Sequence, residues 1–156
     1  DRRALDAPAR AGLGLFLGKA GCAGCHRVTP EYALLTDQRY HNTGVGYHPR
    51  FEYLGYGGDG LEASRARPNE FRGEYLTPSL RDVALTAPYM HDGSEATLAE
   101  VIEYYDRGGN KNPWLDPNMR PLGLTAQEKA DLVALLETFT SSDLARFDEL
   151  GKLMPK

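Results

Sequence analysis

The stretch Cys22-Ala23-Gly24-Cys25-His26 decides how the rest of this 156-residue chain is interpreted. Two thiols three positions apart on a short helical turn can each form a thioether with a vinyl group of a porphyrin, and the histidine that follows is placed to ligate the iron. The spacing therefore predicts one haem c, attached covalently at Cys22 and Cys25, with His26 as an iron ligand.

Other uses of a cysteine pair fit this sequence less well. A structural zinc site generally needs four ligands, and the chain has only two cysteines, so scattered histidines would have to complete it: His41, His48 and His91. A thioredoxin-like pair should follow a buried strand, whereas this pair follows a glycine-interrupted run with helical spacing at positions 13–18. A disulfide across so short a loop would be strained and would stabilise little.

Length and charge limit the class of protein. A chain of 156 residues is long enough for one domain, and we treat residues 1–156 as a single c-type cytochrome domain. The formal net charge of −4 gives no basic footprint, so nucleic acid is not an expected partner. No stretch resembles a membrane span. Because haem c is attached outside the bacterial cytoplasm, we expect a periplasmic or otherwise extracytoplasmic location and a leader in the precursor.

The order of predicted elements favours an all-α fold. Asp6 and Pro8 are typical of a helix start, and Leu13, Phe16 and Leu17 follow at helical spacing. Capping boxes at Thr97-Leu98-Ala99-Glu100 and Thr125-Ala126-Gln127-Glu128 predict two more helices. The first of them should stop at Gly108-Gly109, and the second should present one apolar face: Leu132, Leu135, Leu136 and Phe139. A shorter helix is expected after Ser142, and no strand pattern appears.

The segment from Thr29 to about Leu76 has almost no periodic pattern. Eight aromatic residues are interleaved there with glycine and arginine, and so long an irregular loop is unusual unless it serves a site or packs against a cofactor or partner. We expect these aromatics to pack the loop onto the haem and the helices. The fold prediction is thus a class I cytochrome c-like haem domain with an enlarged irregular middle loop.

Several residues are candidates for the second axial iron ligand. The sequence offers a tyrosine, two methionines and three histidines: Tyr105, Met90, Met119, His41, His48 and His91. Tyr105 shares one face of the Thr97-capped helix with Leu98, Val101 and Ile102, and that face should point at the core. A buried tyrosine bonded to a backbone carbonyl is the plainer interpretation, and either methionine could reach the iron as a thioether.

Five motifs in order resemble the second haem domain of the bacterial di-haem cytochrome c peroxidase and MauG family. The resemblance extends from the first helix to about Phe139. The motifs are Thr77-Pro78-Ser79-Leu80-Arg81, the run from Thr86 to Gly93 (Thr-Ala-Pro-Tyr-Met-His-Asp-Gly), Thr97-Leu98, the run from Tyr104 to Gly109 (Tyr-Tyr-Asp-Arg-Gly-Gly), and Pro121-Leu122-Gly123-Leu124-Thr125.

The resemblance implies a choice of ligand. In that family the sixth ligand lies fourteen positions after the histidine matched by His91, and it is methionine in the peroxidases and tyrosine in the MauG type. Counting forward reaches Tyr105, so the chain is similar to MauG at this position. A phenolate oxygen is a hard, anionic ligand that favours ferric iron and lowers the reduction potential, whereas a thioether favours ferrous iron.

Other site residues follow from the same resemblance. The backbone carbonyls of Thr86 and Pro88 match positions that bind a calcium ion between two haems, with a further ligand from the other domain. Arg81 matches an arginine near the haem, where it could neutralise a propionate. His91 is expected to be structural within its turn. His41-Asn42 is similar to a segment near the haem, without an assigned catalytic role.

The family works with two haems, and this chain has one haem motif. The expected partners are an N-terminal haem domain or a second haem subunit, together with a protein electron donor or substrate. The favoured interpretation is the electron-transferring half of a peroxide-dependent oxidoreductase, with no catalytic residue of its own. The alternatives are a free-standing mono-haem electron-transfer subunit without peroxidase activity, and a binding module in which the haem is structural or sensory.

Overall fold

The computed structural model describes residues 5–29, 32–47 and 73–141. Within these ranges no helix is long and apolar enough to cross a membrane. The helix expected after Ser142 and much of the predicted middle loop lie outside the described residues. The regular elements, in chain order, are α1 (Ala7–Leu17), β1 (Tyr40–His41), β2 (Tyr75–Leu76), α2 (Leu98–Asp106) and α3 (Ala126–Glu137), with 3₁₀ turns at Cys22–Gly24 and Val83–Leu85.

Helix α1 begins as its sequence predicts but buries a different face. The Asp6 carboxylate accepts a hydrogen bond from the Ala9 amide at 3.0 Å, which caps the first turn. The buried residues are Ala9, Gly12 and Phe16. Leu17 has the same helical spacing as Leu13 and Phe16, but its side chain is 54% exposed. Gly12 lies on the buried face instead, because at this position α1 approaches the backbone of α3 too closely for any side chain.

Helices α2 and α3 both begin at reciprocal capping boxes, as predicted. The Thr97 hydroxyl accepts from the Glu100 amide while the Glu100 carboxylate accepts from the Thr97 amide, and Thr125 and Glu128 repeat the arrangement. Beyond the end of α2 the chain turns at Gly108-Gly109, whose φ values of +82° and +69° suit glycine.

The core lies where the three helices meet. The buried cluster takes one residue from α1, two from α2, one from the loop before α3 and three from α3: Phe16, Leu98, Ile102, Leu124, Leu132, Leu135 and Leu136. Phe139 follows α3 and packs edge-to-face on Phe16, with ring centroids 6.1 Å apart. The inward face predicted for α3 is therefore confirmed.

A small sheet corrects the all-α prediction. Strands β1 and β2 pair antiparallel, with Tyr40 opposite Leu76 and His41 opposite Tyr75. Each strand has only two residues, which is too short to give the alternating pattern by which a strand is recognised in a sequence. This two-stranded ribbon ties an early part of the predicted middle loop to its end, and it brings His41 and Tyr75 to the wall of the cavity described next.

Candidate functional site

The Cys22–Gly24 turn holds its two thiols and the following histidine together. The Cys25 and His26 amides both donate to the Cys22 carbonyl, at 3.2 and 2.9 Å. Both cysteines are free, and both line a cavity together with His26. Burial raises the pKa of the Cys22 thiol to about 11. Burial also raises the pKa of Cys25, and the nearby carboxylates of Asp37 and Asp116 add to the effect.

The His26 imidazole is oriented by a backbone carbonyl. Its Nδ1 lies 2.8 Å from the Leu35 oxygen. A carbonyl can only accept, so Nδ1 carries the proton and Nε2 of the neutral ring keeps its lone pair. Burial lowers the pKa of His26 despite the opposing effect of the Leu35 and Pro78 carbonyls, which favours the neutral ring. His26 therefore presents the nitrogen that a metal ligand needs.

Tyr105 lines the same cavity from α2, next to Val101 and Ile102. Burial raises the pKa of its hydroxyl, and the charges of Tyr104, Cys22 and Cys25 raise it further. In residues 5–29, 32–47 and 73–141 no group forms a hydrogen bond with this hydroxyl. Its neighbour Tyr104, in contrast, donates to the Thr43 carbonyl at 2.9 Å. Tyr105 is half-buried on the cavity wall, so a group in the cavity can supply the partner that the described residues do not.

The rest of the cavity wall is mostly apolar. The helices and loops contribute ten such residues: Phe16, Ala20, Leu76, Leu80, Val101, Ile102, Met119, Leu122, Leu132 and Leu136. Apolar walls, two thiols on one turn, an imidazole held through Nδ1 and a phenol without a partner among the described residues are together what an attached haem requires of its site. The residues present thus fit this cofactor.

The structure separates the candidates for the second axial ligand. Met119 lines the cavity with Tyr105, whereas the described cavity wall does not include Met90 or His91. His91 stacks on Tyr75, with ring centroids 3.6 Å apart. His41 also lines the cavity, but a carboxylate engages each of its ring nitrogens. His48 lies outside the described residues.

Three residues expected from the resemblance are not part of the described cavity wall. The guanidinium of Arg81 donates to the Ala33 carbonyl at 3.0 Å, and the arginine on the wall is Arg120. Thr86 and Pro88 are exposed in the turn after the Val83–Leu85 segment, and the Thr86 hydroxyl donates to the Val83 carbonyl.

Sequence reasoning missed a polar cluster on this wall. His41 lies between Asp37 and Asp116, and the second of these is 75 positions away along the chain. Trp114, in the same loop as Asp116, donates its backbone amide to the Asn112 side chain at 2.9 Å. The four-residue spacing of Asp37 and His41 was the only local sign, and it lies in an irregular segment where such spacing carries little information.

Comparisons with known proteins agree on one family, although the chain matches no protein-family model. The cytochrome-c peroxidase IdrP1 of Denitromonas iodatirespirans is 38% identical over 165 residues, which cover 92% of this chain and 43% of that protein. The methylamine utilization protein MauG of Methylorubrum extorquens is 38% identical over 147 residues, covering 93% of this chain and 38% of that protein. The chain therefore spans somewhat less than half the length of these relatives.

A solved structure extends the likeness to the fold. It is that of a MauG-like protein associated with microbial copper homeostasis, with a TM-score of 0.68 and 34% identity over 90% of this chain and 49% of the other. The fold is thus that of the haem domains of this family. Because relatives with both names match along nine-tenths of the sequence, the chain belongs to the MauG and di-haem cytochrome c peroxidase family.

Proposed function

We propose that this chain is a c-type cytochrome domain that carries one six-coordinate haem and transfers electrons within a MauG-like or di-haem peroxidase-type oxidoreductase. Cys22 and Cys25 would hold the porphyrin through thioethers, and His26 and Tyr105 would ligate the iron. The bound haem supplies a one-electron redox couple. The observation that carries the proposal is the position of Tyr105 in the cavity that also contains both thiols and His26, where its hydroxyl has no hydrogen-bond partner among the described residues.

The protein's own residues have distinct tasks in this function. The Leu35 carbonyl fixes the His26 ring with Nε2 unprotonated. The apolar wall excludes water from the cofactor, and the raised pKa of Tyr105 means that its phenol stays protonated until a cation displaces the proton. A phenolate oxygen at this position would favour the ferric state of a bound haem, which would suit a site that stores oxidising equivalents and is hard to reduce.

The length of the relatives supports a wider assembly. Since the chain spans under half of them, we propose an N-terminal haem domain or a second haem subunit as partner, with a protein as electron donor or substrate. Peroxide-driven oxidation would belong to that assembly, in the periplasm. The Thr86 and Pro88 carbonyls, both in exposed residues, are the proposed calcium ligands toward the partner domain.

The ferric absorption spectrum tests the ligand set. Tyr105→Phe removes the phenol and keeps the ring, so the spectrum of the ferric holoprotein should change. Two matched controls should leave it unchanged: Tyr104→Phe, whose hydroxyl bonds Thr43, and Met119→Leu, which removes the thioether on the same wall. A spectrum unaltered by Tyr105→Phe but altered by Met119→Leu would replace tyrosine with methionine as the ligand.

A further inference from the structure

A histidine held between two carboxylates lies on the cavity wall. His41 Nδ1 is 2.6 Å from Asp116 Oδ2, and His41 Nε2 is 2.9 Å from Asp37 Oδ2. Carboxylate oxygens only accept, so both ring nitrogens carry protons and the ring is an imidazolium. Two carboxylates and one imidazolium give the cluster a net charge of −1.

The surroundings stabilise this charge state. Burial alone would lower the pKa of His41, but the hydrogen bonds to Asp116 and Asp37 outweigh it and raise the pKa. Burial would likewise raise the pKa of Asp37, but hydrogen bonds from His41, the Arg39 amide and Thr77 lower it to about 2. The Asp37 side chain is only 3% exposed, so its charge is poorly screened by water.

The cluster is close to the attachment site. His41 and Asp116 line the cavity, and the potential ligand atoms of Cys25, Asp37 and His41 lie within 4.8 Å of one another. The charges of the cluster act on other titratable groups. Burial lowers the pKa of His26, while the Asp37 charge opposes this shift and the His41 charge adds to it. Burial raises the pKa of Glu74, while the His41 charge opposes this shift and the Asp116 charge adds to it. A charge here therefore acts on the cavity through a low-dielectric wall.

We propose that the Asp37–His41–Asp116 cluster sets the reduction potential of the haem, with His41 as the positioning residue that limits the cluster to one negative charge. The inference rests on the proposed function, because it needs a haem in this cavity. An oxidised haem carries one more positive charge than a reduced one. A net negative charge in the wall therefore stabilises the oxidised form and lowers the potential.

The sign of the effect distinguishes electrostatics from packing. His41→Gln leaves both carboxylates unneutralised, so the cluster charge becomes −2 and the potential should fall. Asp116→Asn and Asp37→Asn each leave one carboxylate beside the imidazolium, so the cluster becomes neutral and the potential should rise. Loss of a merely structural contact would loosen the same wall in all three variants and would have no reason to change the potential in opposite directions.

Spectroelectrochemical titration of the holoprotein at pH 6 tests the proposal. At this pH the carboxylates are ionised and His41 stays protonated beside a single carboxylate partner. At a fixed applied potential we expect the ratio of reduced to oxidised haem to fall about tenfold in His41→Gln and to rise about tenfold in each Asp→Asn variant. A tenfold change corresponds to about 59 mV for a one-electron couple. His91→Gln, outside the described cavity wall, is the matched control and should not shift the ratio.

Each outcome decides the question. Shifts in the same direction in His41→Gln and Asp116→Asn, or no shift beyond that of His91→Gln, would overturn the inference while leaving the haem assignment intact. If His41→Gln fails to incorporate haem, the two Asp→Asn variants must still both raise the ratio. A wild-type protein without covalent haem would overturn the proposed function and this inference with it.

Discussion

Individual side chains in this domain are fixed by contacts whose strength depends on burial. Asp106 at the end of α2 is 13% exposed, accepts from the Leu124 amide at 2.8 Å and pairs with Lys129 at 2.7 Å. The hydrogen bond from Leu124, followed by that from Lys129, lowers the pKa of Asp106. Its backbone carbonyl also accepts from the amide of Leu122, which lines the cavity. Asp106 thus joins α2 to the loop that forms part of the site.

Removing Asp106 should therefore cost more than removing its exposed neighbour. Asp106→Ala leaves the Leu124 amide without its partner, and we expect a loss of on the order of 1–2 kcal/mol in the free energy of unfolding. Glu103 also pairs with Lys129, at 2.6 Å, but is 57% exposed. Glu103→Ala should stay within about 0.5 kcal/mol of wild type. Denaturant unfolding of the two holoproteins measures the difference, and equal losses would contradict the assigned role of Asp106.

At the scale of elements, the close packing of α1 on α3 depends on one glycine. A Cβ built on Gly12 would lie 2.1 Å from the Asp131 carbonyl oxygen, so the two helix backbones nearly touch there. Gly14, two positions further along the same helix, has nothing within 4 Å of a built Cβ and is exposed. This contact places Phe16 on the cavity wall and positions the segment that leads to Cys22.

The two glycines should respond oppositely to alanine. Gly12→Ala forces α1 away from α3, and we expect a loss of about 1–3 kcal/mol, as in other overpacked interiors. Gly14→Ala should instead stabilise the protein by about 0.5–1 kcal/mol through the better helix propensity of alanine. Thermal and denaturant unfolding of each variant provide the test. A neutral Gly12→Ala variant would show that α1 does not pack on α3 as described.

At the scale of the whole molecule, the cavity gathers residues from all along the chain. The α1 helix, the cysteine turn, the ribbon, α2, the loop before α3 and α3 itself all contribute. The Asp37–His41–Asp116 cluster connects two of these regions across 75 positions of sequence. Its ionisation should therefore affect the stability of the whole domain.

The pH dependence of stability follows from the directions of these pKa shifts. The pKa of His41 is raised, so its contribution is fully present below the ordinary value of 6.5 and is lost as the pH rises through the folded-state pKa. The pKa of Asp37 is lowered from 3.8 to about 2, so its contribution is present above 3.8 and is lost as the pH falls toward 2. The difference in melting temperature between wild type and His41→Gln should thus be largest between about pH 4 and 6.5. A difference independent of pH would contradict the cluster's charge state.

Local signals allowed prediction of the helices and of the attachment turn. Each capping box, at Thr97 and at Thr125, occupies four consecutive residues, and the cysteine motif occupies five. Features that depend on contacts between distant segments could not be found this way. The Gly12 contact forms only where α3 packs against α1. The His41 cluster forms only because the fold brings Asp116 next to His41 across 75 positions of sequence. The two-residue strands are defined by their pairing rather than by any pattern of their own.

The central claim is that Cys22 and Cys25 hold a haem covalently. Mass spectrometry of the denatured protein, made in a periplasm that has c-type cytochrome maturation, tests it most directly. We predict a mass equal to the chain plus one haem, and loss of that addition in a Cys22→Ala, Cys25→Ala double variant. A wild-type mass equal to the bare chain, with the two thiols free or joined as a disulfide, would contradict the account.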